Sequence, residues 1–132
     1  MQPGLVIHLQ GDLGVGKTTF ARGLIHALGH TGKVKSPTYA LVENYPLVKF
    51  NIYHFDLYRF IDKEEWEAAG FRDYFNQNNI CLIEWPEKAA YLCPNSDIGI
   101  KISHQSQGRS MAFTAHTQFG TICLEHFLAA FV

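Results

Sequence analysis

A glycine-rich segment near the amino terminus reads Gly11-Asp12-Leu13-Gly14-Val15-Gly16-Lys17-Thr18. The segment matches G-x-x-x-x-G-K-[ST] at every fixed position, the pattern of loops that bind nucleotide phosphates. Glycines let the backbone curl so that successive N–H groups face inward toward phosphate oxygens. The lysine can reach the β- and γ-phosphates, and the threonine hydroxyl can complete the coordination of Mg²⁺. The motif therefore predicts a site for a nucleotide and Mg²⁺.

The segments on either side of this motif fit the same interpretation. Residues 5–9 form a short apolar run, which is typical of a buried strand that enters a loop. After the motif, apolar residues recur at helical spacing from Phe20 to Leu28, and Gly29 follows where a glycine commonly ends a helix. A helix that begins near Lys17 would direct the positive end of its dipole at a bound phosphate.

The middle of the chain predicts a hairpin and a short helix. Residues 39–45 and 47–55 are rich in aromatic and β-branched side chains, which favours two extended segments with a turn at residues 45–46. Residues 62–65 read Asp-Lys-Glu-Glu, the pattern of a capping box. The helix that it begins is expected to run to residue 69 and to stop at Gly70.

The second half of the chain supplies further strands and a last helix. Residues 80–83 are apolar throughout, which indicates a buried strand. Isoleucines alternate over residues 98–102, and residues 111–116 are expected to pair with them as a hairpin. Apolar side chains from Phe119 to Phe131 fall on one helical face. The order of all these elements predicts a single domain with an α/β fold, in which helices flank a mixed sheet.

The composition of the chain limits the classes of function. The 132 residues carry a formal net charge of −1, so there is no general electrostatic attraction to nucleic acid. No apolar run approaches the ~20 residues that cross a bilayer, and the amino terminus has no signal-peptide pattern. The three cysteines form no CxxC pair, so neither a disulfide framework nor a zinc site is predicted. We expect a cytoplasmic protein that binds neither DNA nor a membrane and meets RNA only through partners.

Two acidic residues are candidates for completing the metal site. A loop of this type works with an acid at the end of a neighbouring strand, which holds Mg²⁺ directly or through water. Glu84 closes the apolar run of residues 80–83 and is predicted to bind the metal. Asp56 follows a more polar segment and is predicted to orient a water molecule, either the metal's or the attacking one. Each carboxylate, taken alone, would also suit an ordinary surface position at a strand end.

A hydroxyl-bearing segment lies between the first helix and the hairpin. Residues 36–38 read Ser-Pro-Thr, at the position where nucleotide-sensing loops usually lie. Thr38 is therefore a candidate to meet the γ-phosphate, although the same residues also suit a simple turn. An arginine is a further candidate for contact with phosphate, and the spacing does not distinguish among the four in the chain, Arg22, Arg59, Arg72 and Arg109.

Four blocks of the chain together resemble the bacterial TsaE (YjeE) family, the small P-loop ATPases of tRNA threonylcarbamoyladenosine synthesis. The resemblance implies a P-loop NTPase-like fold, binding of ATP/ADP and Mg²⁺, and slow hydrolysis of ATP. It also implies action on the TsaB–TsaD heterodimer, which modifies the tRNA, so that tRNA is reached only through the complex. The blocks are Gly11-Asp12-Leu13-Gly14-Val15-Gly16-Lys17-Thr18-Thr19, Lys35-Ser36-Pro37-Thr38-Tyr39, His54-Phe55-Asp56-Leu57-Tyr58-Arg59 and Ile83-Glu84-Trp85-Pro86.

The resemblance also implies roles for individual residues. Binding of Mg²⁺ is implied for Thr18 and Glu84. A role in hydrolysis is implied for Asp56, Thr38 and Lys17. Contact with the nucleotide is implied for Gly11, Gly14, Val15, Gly16, Lys17, Thr18, Thr19 and Arg109.

The amino terminus departs from the family pattern. Members of the family carry a strand and a helix before the strand that leads into the P-loop. In this sequence Met1 stands four residues before Leu5, where that strand is predicted to begin. We therefore expect the fold to lack the family's first strand and helix.

Two other functions remain open from the sequence. One is a P-loop kinase for a small metabolite, but the chain has few arginines and no lid-length insertion after Glu84. The other is a nucleotide-dependent interaction module without productive hydrolysis. The second acid, Asp56, argues mildly against such a module, because binding alone does not require two acids near the metal.

Overall fold

The computed structural model describes residues 1–129. Within that range the chain forms six strands, three α-helices and two short 3₁₀ helices. None of these helices is long and apolar enough to cross a bilayer. In chain order the elements are β1 (Val6–Gln10), α1 (Lys17–Ala27), β2 (Val42–Pro46), β3 (Asn51–Asp56), α2 (Lys63–Ala69), a 3₁₀ helix (Phe71–Tyr74), β4 (Asn79–Glu84), a 3₁₀ helix (Pro86–Ala89), β5 (Ile98–His104), β6 (Arg109–Ala115) and α3 (Gln118–Ala129).

All six strands belong to one mixed sheet, in the order β2-β3-β4-β1-β5-β6. The central strands are parallel: β1 pairs with β4 and β5, and β3 pairs with β4. The edge strands β2 and β6 pair antiparallel with β3 and β5. The predicted mixed sheet flanked by helices is therefore confirmed. Because neighbouring parallel strands end at the same edge of a sheet, the carboxyl ends of β1, β3 and β4 lie side by side.

The two faces of the sheet carry two separate apolar layers. One face packs against α1 and α3 through side chains such as Ile7, Ile52 and Leu82. The opposite face packs against α2 and the 3₁₀ helix that follows it, through Phe55 and Ile83. Side chains two residues apart on a strand share a face. Every residue of β4 is buried, which explains why its sequence is apolar throughout residues 80–83, between Asn79 and Glu84.

The ends of α2 follow the sequence prediction. Asp62 Oδ1 accepts a hydrogen bond of 3.0 Å from the N–H of Glu65, and Glu65 Oε1 accepts one of 3.0 Å from the N–H of Ile61. The reciprocal bond thus reaches one residue further back than in a standard capping box. Gly70 ends the helix in the left-handed conformation, with a φ of 69°.

The first hairpin differs from the prediction at the start of its first strand and in the position of its turn. Strand β2 begins at Val42 and not at residue 39, because Leu41 has a φ of 69° and donates its N–H to the carbonyl of Pro37 (2.7 Å). The turn lies at residues 47–50 and not at 45–46, because Pro46 still pairs with Asn51. Proline is tolerated there since β2 is an edge strand.

The prediction of the last helix is confirmed as far as the structure describes the chain. Helix α3 covers Gln118–Ala129, and Cys123 is buried against the sheet. Ala130 and Phe131, which were included in the same predicted face, lie outside the described residues.

The contact between α3 and the sheet generates a prediction about stability. A Cβ on Gly120 would lie 2.0 Å from the carbonyl oxygen of Asp97, a backbone atom that cannot rotate away. We expect Gly120→Ala to force α3 off the sheet and to lower the free energy of unfolding by about 1–3 kcal/mol. The measurement is urea denaturation followed by circular dichroism.

Gly23→Ala is the matched control, because Gly23 also lies inside a helix but has nothing within 4 Å of its Cβ position. That variant should gain roughly 0.5–1 kcal/mol from the higher helix propensity of alanine. Equal effects of the two substitutions would contradict the proposed close contact.

Candidate nucleotide-binding site

The glycine-rich loop connects the carboxyl end of β1 to the amino end of α1 and lies close to β5. Gly11 has a φ of 153°, and a Cβ there would lie 2.5 Å from the carbonyl oxygen of Ile102. Gly16 has a φ of 105° and is the residue that precedes the first turn of α1. Both positions therefore require glycine, one for its close approach to β5 and one for its left-handed backbone.

Lys17 is the first residue of α1, and its side chain folds back over the loop. Its Nζ donates to the carbonyl oxygens of Gly11 and Asp12, the latter at 3.0 Å. The same atom lies 4.1 Å from the centre of the Trp85 ring, within the range of a cation–π contact. Burial lowers the pKa of Lys17 from its ordinary value, and the nearby carboxylate of Glu84 acts in the opposite direction.

Glu84 ends β4 and is almost fully buried, with 2% of its side chain exposed. Thr18 Oγ1 donates a hydrogen bond of 3.0 Å to its Oε1. Its Oε2 lies 2.6 Å from Nε2 of His54, which is itself fully buried. Glu84 shares a sheet face with Leu82, the face that packs against α1. The strand alternation therefore directs its carboxylate at the first turn of that helix.

Asp56 ends the neighbouring strand β3, directly opposite Glu84 in the ladder. Its Oδ1 accepts a hydrogen bond of 3.1 Å from the N–H of Tyr58. Burial raises the pKa of Asp56, the Tyr58 hydrogen bond lowers it, and the carboxylate of Glu84 raises it further. Two acids thus lie next to each other at the ends of parallel strands.

Thr38 belongs to the segment that precedes β2, and its position is tied to the end of β3. Its Oγ1 lies 2.7 Å from Oγ of Ser36, so the two hydroxyls are hydrogen-bonded. Leu41, whose N–H is bonded to Pro37, accepts a hydrogen bond of 2.9 Å from the N–H of Asp56. The segment is therefore held against the same strand end that carries Asp56.

These elements line an open cavity of about 530 Å³, called the polar cavity because most of the residues that line it are polar or charged. The structure brings most of the predicted site residues together around it: Gly14, Gly16, Lys17, Thr18, Thr19, Thr38, Asp56 and Glu84. Gly11 lies at the base of the loop. The cavity wall also contains Arg59, one of the four candidate arginines, and three residues to which the sequence analysis gave no role: Leu13, Tyr58 and Trp85.

Arg109 begins β6 and lies on the other side of the loop. Its Nε donates to the carbonyl oxygen of Val15, and its side chain passes next to Gly16. A second cavity of about 410 Å³ opens there and has a mostly apolar wall. The residues around it are Val15, Gly16, Thr19, Phe20, Ile102, Arg109 and Met111.

The structure places each of the other three arginines in a different environment. Arg59 lines the polar cavity, and its guanidinium lies 4.9 Å from the centre of the Tyr39 ring. Arg72 forms an exposed ion pair of 3.3 Å with Glu67. Arg22 is exposed on α1. Of the four, Arg59 and Arg109 are thus the two that line the cavities beside the loop.

Two contacts at the site were missed from the sequence. Trp85 has a φ of 58°, which turns the chain after β4 and places its ring under Lys17. His54 contacts Glu84, and its spacing of two residues from Asp56 on a strand was the available signal, because such residues share a face.

The raised pKa of Asp56 generates a prediction about stability against pH. A carboxyl whose pKa is higher in the folded state binds more protons when folded, so its contribution to stability falls as the pH rises through that range. Asp56→Asn should therefore raise the midpoint of urea unfolding at pH 7. The gain should disappear near pH 3, where the carboxyl is protonated in both states.

Asp73→Asn is the control for this measurement, since Asp73 lies exposed on a 3₁₀ helix away from the cavity. In this variant the midpoint of urea unfolding should change between pH 7 and pH 3 by the same amount as in the parent chain. A loss of stability in Asp56→Asn at pH 7 would show that the ionised carboxylate stabilises the fold.

The sequence of the chain matches one family of known proteins. Residues 1–111 match the family model described as threonylcarbamoyl adenosine biosynthesis protein TsaE. The TsaE protein of Haemophilus influenzae is 49% identical over 119 residues, which are 90% of this chain and 75% of that protein. The TsaE protein of Bacillus subtilis is 38% identical over 115 residues, 86% of this chain and 72% of that protein.

A solved structure has the same fold. The crystal structure of Bacillus subtilis YdiB superimposes with a TM-score of 0.82 at 29% sequence identity, covering 100% of this chain and 82% of that one. The matched segment of the family model includes the loop, both strand-end acids and Arg109. The chain therefore belongs to the TsaE family of threonylcarbamoyl adenosine biosynthesis proteins.

Proposed function

We propose that the chain binds ATP with Mg²⁺, hydrolyses it slowly to ADP and phosphate, and thereby supports tRNA modification by the TsaB–TsaD complex. The observation that carries the proposal is the hydrogen bond of 3.0 Å between Thr18 Oγ1 and Glu84 Oε1. It joins the glycine-rich motif to an acid at a strand end, the pairing expected around a Mg²⁺–nucleotide. Membership of the TsaE family supports the role in tRNA modification.

The phosphates of the nucleotide would occupy the polar cavity. Backbone N–H groups of the loop and the first turn of α1 supply partial positive charge there. Lys17 supplies a full charge, because its Nζ can exchange the carbonyl oxygens of Gly11 and Asp12 for phosphate oxygens. Arg59 brings a second cation to the cavity wall.

Thr18 and Glu84 would hold the Mg²⁺. Within residues 1–129 no three histidine, cysteine or acidic side chains are grouped so that they could hold a metal on their own. A smaller donor set fits Mg²⁺, because this ion usually takes one or two protein oxygens and completes its shell with phosphates and water. When bound, it would neutralise the charge on the reacting phosphates.

The base of the nucleotide would lie in the second, apolar cavity. Phe20, Ile102 and Met111 offer apolar surface there, which suits the faces of an aromatic base. Arg109 is anchored to the loop by its bond to Val15 and offers a planar guanidinium at the same place. The two cavities adjoin through Gly16 and Thr19, which line both, so one nucleotide can span them.

Asp56 would orient the attacking water. Its Oδ1 accepts from Tyr58, which leaves Oδ2 for the water molecule. Burial moves the pKa of Asp56 upward, toward the range in which a carboxylate accepts a proton more readily. In the reaction the water oxygen bonds to the γ-phosphorus while the bond to the bridging oxygen of ADP breaks. The proton of the water passes to Asp56 or to an oxygen of the inorganic phosphate that is formed. Thr38 lies on the cavity wall, where its hydroxyl can contact the γ-phosphate.

The proposal predicts separate effects on binding and on hydrolysis. Lys17→Ala should abolish both, because it removes the cation at the phosphates. Asp56→Asn should retain binding of ATP and lower the rate of phosphate release by on the order of 10²-fold or more. The measurements are titration calorimetry and a coupled phosphate assay, each with and without purified TsaB–TsaD, which should raise the parent rate.

Arg72→Ala is the control, since Arg72 is exposed and paired only on the surface. Unchanged hydrolysis in Asp56→Asn would remove that residue from the mechanism. Binding of ATP without any effect of TsaB–TsaD on the rate would overturn the proposed partner.

The apolar cavity generates a separate prediction about the base. Met111→Ala should weaken binding of ATP about fivefold, because roughly 1 kcal/mol of apolar contact is lost. Binding of inorganic tripolyphosphate, which has no base, should stay unchanged. Ile61→Ala is the matched control, as Ile61 is also an exposed apolar side chain but lies outside both cavities. If Met111→Ala weakened the binding of ATP and of tripolyphosphate equally, the base would have to bind outside this cavity.

A further inference from the structure

His54 is a buried polar residue that the proposed mechanism does not use. Its side chain is fully buried in the sheet face that packs against α1, where its neighbours on β3 and β4, Ile52 and Leu82, are apolar. Burial of an imidazole in such a layer costs free energy unless the ring is hydrogen-bonded. An apolar side chain would suit the packing better, so the ring calls for an explanation beyond filling space.

The one hydrogen bond that the structure gives this ring joins it to the proposed metal-binding acid. Nε2 lies 2.6 Å from Glu84 Oε2. An ionised carboxylate can only accept, so Nε2 is the donor. The other ring nitrogen, Nδ1, is buried and has no hydrogen-bond partner within the part of the chain that the structure describes. The contact with Glu84 is therefore what fixes the orientation of the ring.

The same contact assigns a separate partner to each oxygen of Glu84. Oε2 accepts from His54, and Oε1 accepts from Thr18. Glu84 is almost fully buried, so water is not at hand to hold the carboxylate in this orientation. Without the imidazole, the carboxyl group could turn about its last torsion, which is broad in glutamate.

We propose that His54 is a positioning residue, which holds the Glu84 carboxylate so that Oε1 faces Thr18 and the Mg²⁺ position before a nucleotide arrives. The inference rests on the proposed function, in which Thr18 and Glu84 bind Mg²⁺. It follows the general behaviour of metal sites, where partners behind a ligand change metal affinity by about 10–100-fold. His54 itself contacts neither the phosphates nor the metal.

The test separates the affinity for Mg²⁺ from the affinity for the nucleotide. A fluorescent ATP analogue is titrated in EDTA, and its binding is then followed as Mg²⁺ is added. In His54→Leu the concentration of Mg²⁺ at half-saturation should rise about tenfold, while binding in EDTA stays within about twofold of the parent. His54→Gln should remain near the parent, because its amide nitrogen reaches as far as Nε2 and can still donate to Glu84.

His54→Asn completes the series, since its shorter amide stops short of Glu84 and should behave as His54→Leu does. If His54→Leu does not fold, the comparison of His54→Gln with His54→Asn still tests whether a hydrogen bond to Glu84 sets the affinity for Mg²⁺. His8→Leu is the matched control: His8 is a partly buried histidine on β1 bonded to the carbonyl of Pro94, and it should leave both affinities unchanged.

Two outcomes overturn the inference. One is a half-saturation by Mg²⁺ that stays at the parent value in both His54→Leu and His54→Asn. The other is an equal rise in His54→Gln and His54→Asn, which would mean that any loss of the ring disturbs the site. If the parent chain shows no effect of Mg²⁺ on nucleotide binding, the proposed function itself fails, and that result is distinct from the first two.

Discussion

The register between β1 and β4 is the constraint on which the site depends. Leu9 lies opposite Glu84 in the parallel ladder, so the loop that leaves β1 begins beside the acid that ends β4. Because β3 is parallel to β4 in the same way, Asp56 reaches the same edge. A shift of one residue would turn Glu84 toward the face covered by α2 and leave Thr18 without its acceptor. The sheet therefore sets the geometry of the candidate site before any side chain of the loop contributes.

Three charged side chains are buried at this edge, Lys17, Asp56 and Glu84, and for the first two burial opposes the charged form. Burial alone lowers the pKa of Lys17 and raises that of Asp56, which means that both charged forms are disfavoured. The two acids also repel each other, while the single ammonium attracts both. Such an arrangement has no advantage for a core that only needs to be stable. It suits a site that gains charge compensation from a multivalent anion and a divalent cation.

The parts of the fold that follow from local pattern were accessible to sequence reasoning, whereas the parts set by long-range contacts were not. The strand before the loop, helix α2 and its end at Gly70 follow from periodicity and capping, both local properties. The start of β2 depends on the left-handed conformation of Leu41, which a leucine rarely adopts and no sequence pattern announces. Arg109 is distant from Val15 in sequence, and only the position of β6 at the sheet edge brings them together.

In the absence of a ligand, the loop itself supplies the partners of the Lys17 ammonium that the proposed ligand would replace. With only protein around it, the ammonium is satisfied by two carbonyl oxygens of the loop and by the face of Trp85. All three partners are weaker acceptors than a phosphate oxygen, which carries a net charge. Binding of a polyphosphate would therefore exchange neutral partners for charged ones at little cost in desolvation, since Lys17 is already buried. A neutral or singly charged ligand would gain less electrostatic free energy from the same exchange, so the arrangement favours ligands with several adjacent negative charges.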